Sequence, residues 1–263
     1  MKRILQVLVG VAVAASLVTV TSSEGAGKCN DLPTKAQLTA LLQDAASNPA
    51  DPGIPAALGG ATCFTGLASG GGCVGGLFGG TRMWGAVVNR DGELCAYVTS
   101  TADPRDTWPG SQAIAKAKAH TANAFSNELL PLSTARLYTF SQPSHSLFSL
   151  NNSNPFNAHF LAPPSGGGGG NGQVAGGVIT FGGGVPLYNA SGDIIGGLGV
   201  SGDTACADHE IAKRARHLAG LNPTGGALVD DIVFTFEDGA SVFAHSPCVN
   251  NVRNGVDVID EAP

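Results

Sequence analysis

Residues Gly196–Ala212 read GGLGVSGDTACADHEIA and join an apolar stretch to a run with helical periodicity. The spacing of Gly197, Gly199 and Gly202 matches the G-x-G-x-x-G pattern of dinucleotide-binding loops. That pattern belongs to the first strand of a parallel βαβ unit, whereas here it follows several expected hairpins. The acidic residue that should follow about 20 positions later is also missing. We therefore interpret the stretch as a strand that turns directly into a capped helix.

Ser201 is the candidate for a catalytic serine in this turn. The G-x-S-x-G nucleophile pattern requires glycine two positions after the serine, and Asp203 stands there instead. We interpret Ser201 and Gly202 as turn residues, and we expect Asp203 or Thr204 to cap the helix. Asp208 then lies in the first helical turn, where the helix dipole favours an acid. The N–H groups of such a helix start still offer a place for an anion or another ligand.

The rest of the chain alternates between helical and strand-like patterns. We expect helices at 32–46, 111–130 and 207–219, and strands at 83–88, 94–98, 178–181, 185–188, 194–200, 228–236 and 240–244. Ala113, Ala117 and Ala124 lie along the long helix, and such small side chains allow a helix to lie close on a sheet. Tight turns between strands imply antiparallel pairing. The expected fold class is α+β, an antiparallel sheet flanked by helices with an extra C-terminal hairpin.

Composition divides the 263 residues into four parts. Residues 1–25 have the basic start and apolar run of a secretory signal peptide, with an uncleaved membrane anchor as the alternative. Residues 26–80 hold a helix and a Gly/Pro-rich loop. Residues 81–219 form the main domain with a long loop at 141–176, and residues 220–263 form a hairpin and a tail that is expected to fray from Asn250. We expect export to the periplasm or the extracellular space, with no membrane span in the mature chain.

Six cysteines fit an oxidising compartment. They are Cys29, Cys63, Cys73, Cys95, Cys206 and Cys248. All are disulfide candidates; Cys63 and Cys73 flank a glycine-rich loop, and Cys206 and Cys248 would tie the tail to the domain. The net charge of −6 and the lack of a basic patch argue against a nucleic-acid partner.

Four segments in order resemble motifs of the GlcG/HbpS-like family, the haem-degrading or haem-binding domain family. Residues 118–122 (KAHTA) are similar to its K-A-x-T-A core, and 183–187 (GGVPL) to its G-G-x-P segment. Residues 196–202 are similar to its glycine signature, and 208–212 (DHEIA) to its D-x-x-I-A helix start. The turn at 89–92 is a looser match to its D-x-x-G turn. The resemblance covers 32–46 and 82–219, and it implies a profilin-like fold with a five-stranded antiparallel sheet, homo-oligomers and, in exported members, haem binding.

Haem requires an axial ligand and an apolar pocket. His209 is the preferred candidate because a helix start disfavours the imidazolium form, and neutral imidazole is the form that binds iron. His120, at the edge of the apolar stripe of the long helix, is the second candidate. His145 and His159 lie in the long loop.

The remaining candidates for ligand contact are Asp208, Ser201, Gly202, Lys213 and Arg216. Lys213 and Arg216, with Arg214, would meet the haem propionates, although a solvated helix face explains them equally well. His120 as a core histidine and His209 on a solvated face are the corresponding structural interpretations.

Three classes of function remain open. The first is an exported protein that binds haem non-covalently as a carrier, reservoir or sensor component. The second is an enzyme that degrades haem or another small molecule, for which the sequence shows no convincing acid–base constellation. The third is a structural or sensory interaction domain without a ligand.

Overall fold

The computed structural model describes residues 29–47, 74–157, 172–234, 241–254 and 256–257. Four α-helices are present in these ranges: α1 (Lys35–Ser47), α2 (Ser111–Phe125), the short α3 (Leu150–Ser153) and α4 (Ala205–Leu218). The strands are β1 (Trp84–Asn89), β2 (Leu94–Thr99), β3 (Gly184–Tyr188), β4 (Ile194–Ser201), β5 (Val233–Phe234), β6 (Ala244–His245), β7 (Val252–Arg253) and β8 (Val256–Asp257). The α+β class is therefore confirmed.

The main sheet has four antiparallel strands in the order β2-β1-β4-β3. Both expected hairpins of this sheet are present, β1 with β2 and β3 with β4. In the first, the N–H of Gly92 bonds to the carbonyl of Asn89 at 2.9 Å, and Gly92 has a φ of +84° that glycine adopts without strain. The central pair, β1 with β4, brings the two hairpins together with Trp84 opposite Ser201.

Each face of the sheet is covered by helices. On one face α2 packs over Trp84, Ala86 and Tyr97, all fully buried. On the other face α1 and α4 pack together over an aliphatic core that includes Leu198 and Val200 of β4. The alternating side chains of β1 serve both cores, with Ala86 in the first and Val87 in the second, as expected for a strand in the middle of three layers.

Glycines on β4 allow α2 to lie unusually close to the sheet. A Cβ atom on Gly199 would lie 2.0 Å from the carbonyl oxygen of Ala115 and 2.4 Å from the nitrogen of Ala119. A Cβ atom on Gly197 would lie 2.3 Å from the carbonyl oxygen of Ala119. The two glycines of the nucleotide-like pattern therefore provide backbone-to-backbone contact between strand and helix, which is consistent with the turn interpretation.

One expected helix is shorter than predicted. The helix expected at 111–130 ends at Phe125, because the Ser126 hydroxyl accepts the N–H of Leu132 and Asn127 accepts the N–H groups of Leu129 and Leu130. These side-chain bonds offer the backbone an alternative to the next helical turn.

The strand expected at 178–181 is absent from the described sheet, so the expectation of a fifth strand is not met there. The N–H of Ile179 donates to the Thr121 hydroxyl, and the Thr134 hydroxyl donates to the carbonyl of Phe181. The backbone of this stretch is thus bonded to side chains instead of to a neighbouring strand.

The expected C-terminal hairpin is also wrong, because β5 and β6 pair in parallel. Its expected turn lies at 235–240, outside the described residues. The tail expected to fray forms a small antiparallel pair, β7 with β8. We call residues 227–234 and 241–254 the C-terminal cover, because they lie over the polar side of α4.

In the described ranges, no helix combines the length and apolar character needed to cross a membrane. The expected signal peptide at 1–25 lies outside those ranges, as do Cys63, Cys73 and His159.

Candidate functional site

The turn between β4 and α4 uses its backbone donors internally. The carboxylate of Asp208 accepts the N–H groups of Gly202 and Asp203 at 3.1 and 2.9 Å. The side chain of Thr204 accepts the N–H of Ala207, which confirms it as the helix cap. The first donors of the helix are therefore already engaged within the chain. Ser201 is the buried last residue of β4.

Asp203 has a different role from the expected cap. Its carboxylate accepts the N–H groups of Leu77, Phe78 and Gly80 at 2.6, 2.8 and 3.2 Å. It therefore holds the loop at 74–80 against the start of α4.

Asp208 also forms a buried ion pair with Lys118 of α2. The two charged atoms are 2.6 Å apart, and both side chains are almost fully buried. Lys118 donates a second bond to the carbonyl of Val200 at 3.0 Å, and its ammonium lies 4.8 Å from the ring centroid of Phe181. Burial raises the pKa of Asp208 to about 6, although Lys118 opposes the shift. Burial lowers the pKa of Lys118, which Asp208 opposes in turn.

His209 lies inside the protein, with 1% of its surface exposed. Its Nε2 atom lies 3.2 Å from the Asp231 carboxylate and accepts the N–H of Ile232. Lys213 donates to the same Asp231 at 3.1 Å and to Glu210 at 2.6 Å. Burial alone would raise the pKa of Asp231, but the charge of the Lys213 ammonium outweighs it and holds that pKa well below its usual range.

Arg216 is likewise buried and forms a two-pronged ion pair with Asp230, at 2.6 and 3.0 Å. It also donates to the carbonyls of Pro186 and Ala227. The interpretation of His209, Lys213 and Arg216 as a solvated helix face is therefore wrong. The C-terminal cover supplies the carboxylates that make their burial possible.

His120 lies on α2 in a half-buried position near the β1–β2 turn. Its Nδ1 atom has no hydrogen-bond partner among the described residues. This nitrogen is itself buried, and a Cβ atom on Gly92 would lie only 3.2 Å from it, so the β1–β2 turn packs directly against the ring. Burial lowers the pKa of His120, which favours the neutral imidazole at physiological pH. His145 is exposed and lies in the turn region between α2 and α3.

His245 of the C-terminal cover is a further buried histidine. Its Nε2 accepts the N–H of Gly182 at 3.2 Å, its Nδ1 lies 2.5 Å from the carbonyl of Ser246, and its ring packs on Tyr138 with centroids 4.6 Å apart. Burial lowers the pKa of His245 to about 4.

Replacing His245 by Gln should flatten the pH dependence of stability. Between the ordinary pKa of 6.5 and the folded pKa of about 4, the unfolded chain takes up a proton that the folded chain does not. The stability that the neutral His245 gives the folded chain is fully present above pH 6.5. The free energy of unfolding falls by up to about 3 kcal/mol as the pH drops to 4. Urea unfolding of both proteins across this range measures the difference, and parallel curves would contradict the expectation.

Two disulfides are described, Cys29–Cys95 and Cys206–Cys248. The second confirms the expected link between the corner of α4 and the tail. The first ties the segment before α1 to β2.

A cleft of about 660 Å³ lies between the start of α1 and the end of α4. None of the candidate histidines is among the described residues that line it, which include Asp31, Gln37, Asp44 and Leu221. The candidate histidines therefore lie outside this cleft.

The sequence patterns did not predict that Lys118 would pair with Asp208, although both residues lie in segments that resemble the family motifs. Asp230, Asp231 and His245 were not singled out either. The adjacent acids at 230–231 were the sequence feature that could have indicated these ion pairs. A carboxylate pair just before a strand needs cationic partners if it is buried.

The model of the family described as haem degrading protein HbpS-like matches residues 76–217, slightly more than half of the chain. The chain belongs to the HbpS-like family. The matched region contains Lys118, His120, Asp208 and His209, whereas the C-terminal cover lies beyond it.

Solved structures of similar proteins include "PduOC:Heme Complex", which is 26% identical, covers 54% of this chain and 81% of that chain, and has a TM-score of 0.39. Klebsiella pneumoniae protein ORFY is 24% identical, with coverages of 53% and 76% and a TM-score of 0.38. A double mutant of HbpS from Streptomyces reticuli is 21% identical, with coverages of 53% and 72% and a TM-score of 0.36. None of the curated proteins compared with the chain matches it.

Proposed function

We propose that this HbpS-like protein is exported and binds haem non-covalently, as a carrier, reservoir or sensor component, with His120 as an axial ligand. Membership of a family described by its haem chemistry supports the choice of ligand class. The observation that carries the proposal is the half-buried imidazole of His120, whose Nδ1 has no partner among the described residues. When bound, haem supplies an iron that takes such a nitrogen as its axial ligand.

His120 suits this role better than His209. The Nε2 of His209 is engaged with Asp231 and the N–H of Ile232. Its Nδ1, like that of His120, has no partner among the described residues, but the whole side chain is buried at 1% exposure beneath the C-terminal cover. Iron would reach His209 only after the cover had moved. Lys213 and Arg216 are likewise occupied by buried carboxylates and are poorly placed to meet propionates.

Two further parts of the proposal have separate support. Disulfides persist in oxidising compartments, so Cys29–Cys95 and Cys206–Cys248 favour a location outside the cytoplasm. Self-association follows only from the family resemblance, and light scattering of the purified chain measures it.

Titration of the protein with haem should shift the Soret band and saturate. We expect His120→Ala to weaken binding by at least about tenfold, since loss of groups at a metal site typically costs this much. Absorbance titrations of the wild type and the variant measure the effect.

His217→Ala is the matched control, because His217 is a partly exposed histidine whose Nδ1 is bonded to Asn222. It should bind haem as the wild type does. His209→Gln tests the other candidate ligand. An unshifted Soret band in the wild type would overturn haem binding, whereas a loss confined to His209→Gln would overturn the ligand assignment.

A further inference from the structure

The disulfide at the start of α4 lies beside a histidine. The sulfurs of Cys206 and Cys248 and a ring nitrogen of His245 all lie within 4.8 Å of one another. We propose that, once this disulfide is reduced, Cys206, Cys248 and His245 form a binding site for one zinc ion. This inference is independent of haem binding.

The ligand types select the metal. Thiolate and imidazole ligands suit zinc, whereas carboxylate and carbonyl oxygens suit magnesium and calcium. Tetrahedral zinc has bond lengths of about 2.3 Å to sulfur and about 2.0 Å to nitrogen, so after reduction the two sulfurs must move apart and share the ion with the neighbouring ring nitrogen. Three protein ligands leave the fourth position of the metal for water or another small ligand.

The start of α4 favours the thiolate form that zinc requires. The backbone N–H of Cys206 points at the sulfur of Cys248, with nitrogen and sulfur 3.2 Å apart. Cys206 is the second residue of the helix, where the helix dipole stabilises a thiolate. The same N–H group remains available to a zinc-bound thiolate.

The histidine is held in place on several sides. Both ring nitrogens of His245 are bonded in the oxidised chain, Nε2 by the N–H of Gly182 and Nδ1 to the carbonyl of Ser246, so zinc must replace one of these bonds. The other bond and the ring of Tyr138 then orient the imidazole. Such outer contacts fix the ring orientation at known metal sites.

The surroundings exclude most water from the cluster. Cys206 packs with the buried side chains of Ala135, Ile232 and Phe234, and the partly buried Cys248 packs against them. A dry environment strengthens the attraction between thiolates and a divalent cation.

Opening the site is a two-electron reduction. A dithiol transfers two electrons and two protons to the Cys206–Cys248 bond and is itself oxidised to a disulfide. Zinc then displaces the two thiol protons into water and forms two Zn–S bonds and one Zn–N bond. Metal binding is therefore conditional on the redox state of this bond.

Cobalt(II) is the probe for the test, because it takes zinc sites and gives visible bands when tetrahedral. The full chain is reduced under anaerobic conditions with a phosphine, free thiols are counted, and Co²⁺ is titrated. We expect a thiolate-to-cobalt charge-transfer band that saturates at one ion per chain and is removed by excess Zn²⁺. The oxidised chain should give no such band.

Variants locate the site. Cys206→Ser and Cys248→Ser should abolish the band, and His245→Ala should change the visible bands and weaken cobalt binding by at least tenfold. Cys29→Ser/Cys95→Ser and Cys63→Ser/Cys73→Ser should keep the band. Far-ultraviolet circular dichroism monitors folding, and the comparison of reduced with oxidised wild type needs no variant.

Three results would overturn the proposal. The first is a Cys206–Cys248 bond that stays oxidised under these conditions. The second is a fully reduced wild-type chain that shows no thiolate-to-cobalt band. The third is a band that is unchanged in Cys206→Ser or in His245→Ala.

Discussion

Lys118→Met is expected to lower the free energy of unfolding by about 3–5 kcal/mol at neutral pH, the typical cost of removing one partner from a buried ion pair. The change keeps a long side chain but removes the ammonium 2.6 Å from the Asp208 carboxylate. Asp208 is 1% exposed, so water does not replace the lost cation. Chemical denaturation of the variant and the wild type measures the difference.

The pH dependence of the free energy of unfolding is a second test of the same variant. The pKa of Asp208 is already raised to about 6 in the presence of Lys118, and loss of the cation raises it further. The folded pKa of Asp208 lies above its unfolded value of 3.8. The cost of burying its unpaired carboxylate is therefore absent below pH 3.8 and grows as the pH rises through the folded pKa. Lys118→Met should therefore recover stability relative to wild type in acid.

Two controls accompany this prediction. Lys35→Met removes an exposed lysine from the first turn of α1 and should change stability by less than about 0.5 kcal/mol. Lys118→Met/Asp208→Asn removes both charges and should be more stable than Lys118→Met alone. Equal stabilities of Lys118→Met and Lys35→Met would show that the buried pair does not matter.

Gly199→Ala is expected to lower the free energy of unfolding by at least about 3 kcal/mol, at or above the upper end of the usual cost of overpacking. The new Cβ would lie 2.0 Å from the carbonyl oxygen of Ala115, and backbone atoms of a helix do not move aside as a flexible side chain does. The sheet and α2 would have to separate, which weakens the core under Trp84 and Tyr97. Thermal and denaturant unfolding measure the loss.

Gly110→Ala is the matched control for this change. Gly110 precedes α2, has an ordinary right-handed backbone with φ of −62°, and a Cβ there meets nothing within 4 Å. The expected change is within about 0.5 kcal/mol. A Gly199→Ala protein as stable as Gly110→Ala would contradict the close packing of α2 on β4.

The main sheet and the helices on it were predictable, because the hydrophobic periodicity of each segment matches the residues that the structure buries there. The stretch at 196–212 was predicted as a strand leading into a capped helix, and β4, Thr204 and α4 are placed accordingly. The small residues of the long helix predicted a close approach to the sheet, but the wrong stripe was chosen, because Ala115 and Ala119 make the contact and Ala124 is exposed. Gly197 and Gly199 provide the complementary surface on the strand.

The candidate site was harder to predict because its partners come from distant parts of the chain. Helical periodicity placed Lys213 and Arg216 on a polar face, and polar faces usually meet water. Asp230 and Asp231 follow α4 and return over it, which no local pattern in 205–218 reveals. The strand expected at 178–181 failed for a similar reason, since the hydroxyls of Thr121 and Thr134 bond its backbone from other elements.

The C-terminal cover also affects when the fold can be completed during vectorial synthesis, in which earlier parts of a chain emerge first. The region matched by the HbpS-like family emerges with Lys213 and Arg216 already in α4, but before Asp231 and Asp230 have followed. Until the last stretch arrives, these cations lack acidic partners from the cover, and burying that side of the helix is costly. The burial of Lys213 and Arg216 therefore depends on acidic residues that follow the family-matched region in the chain.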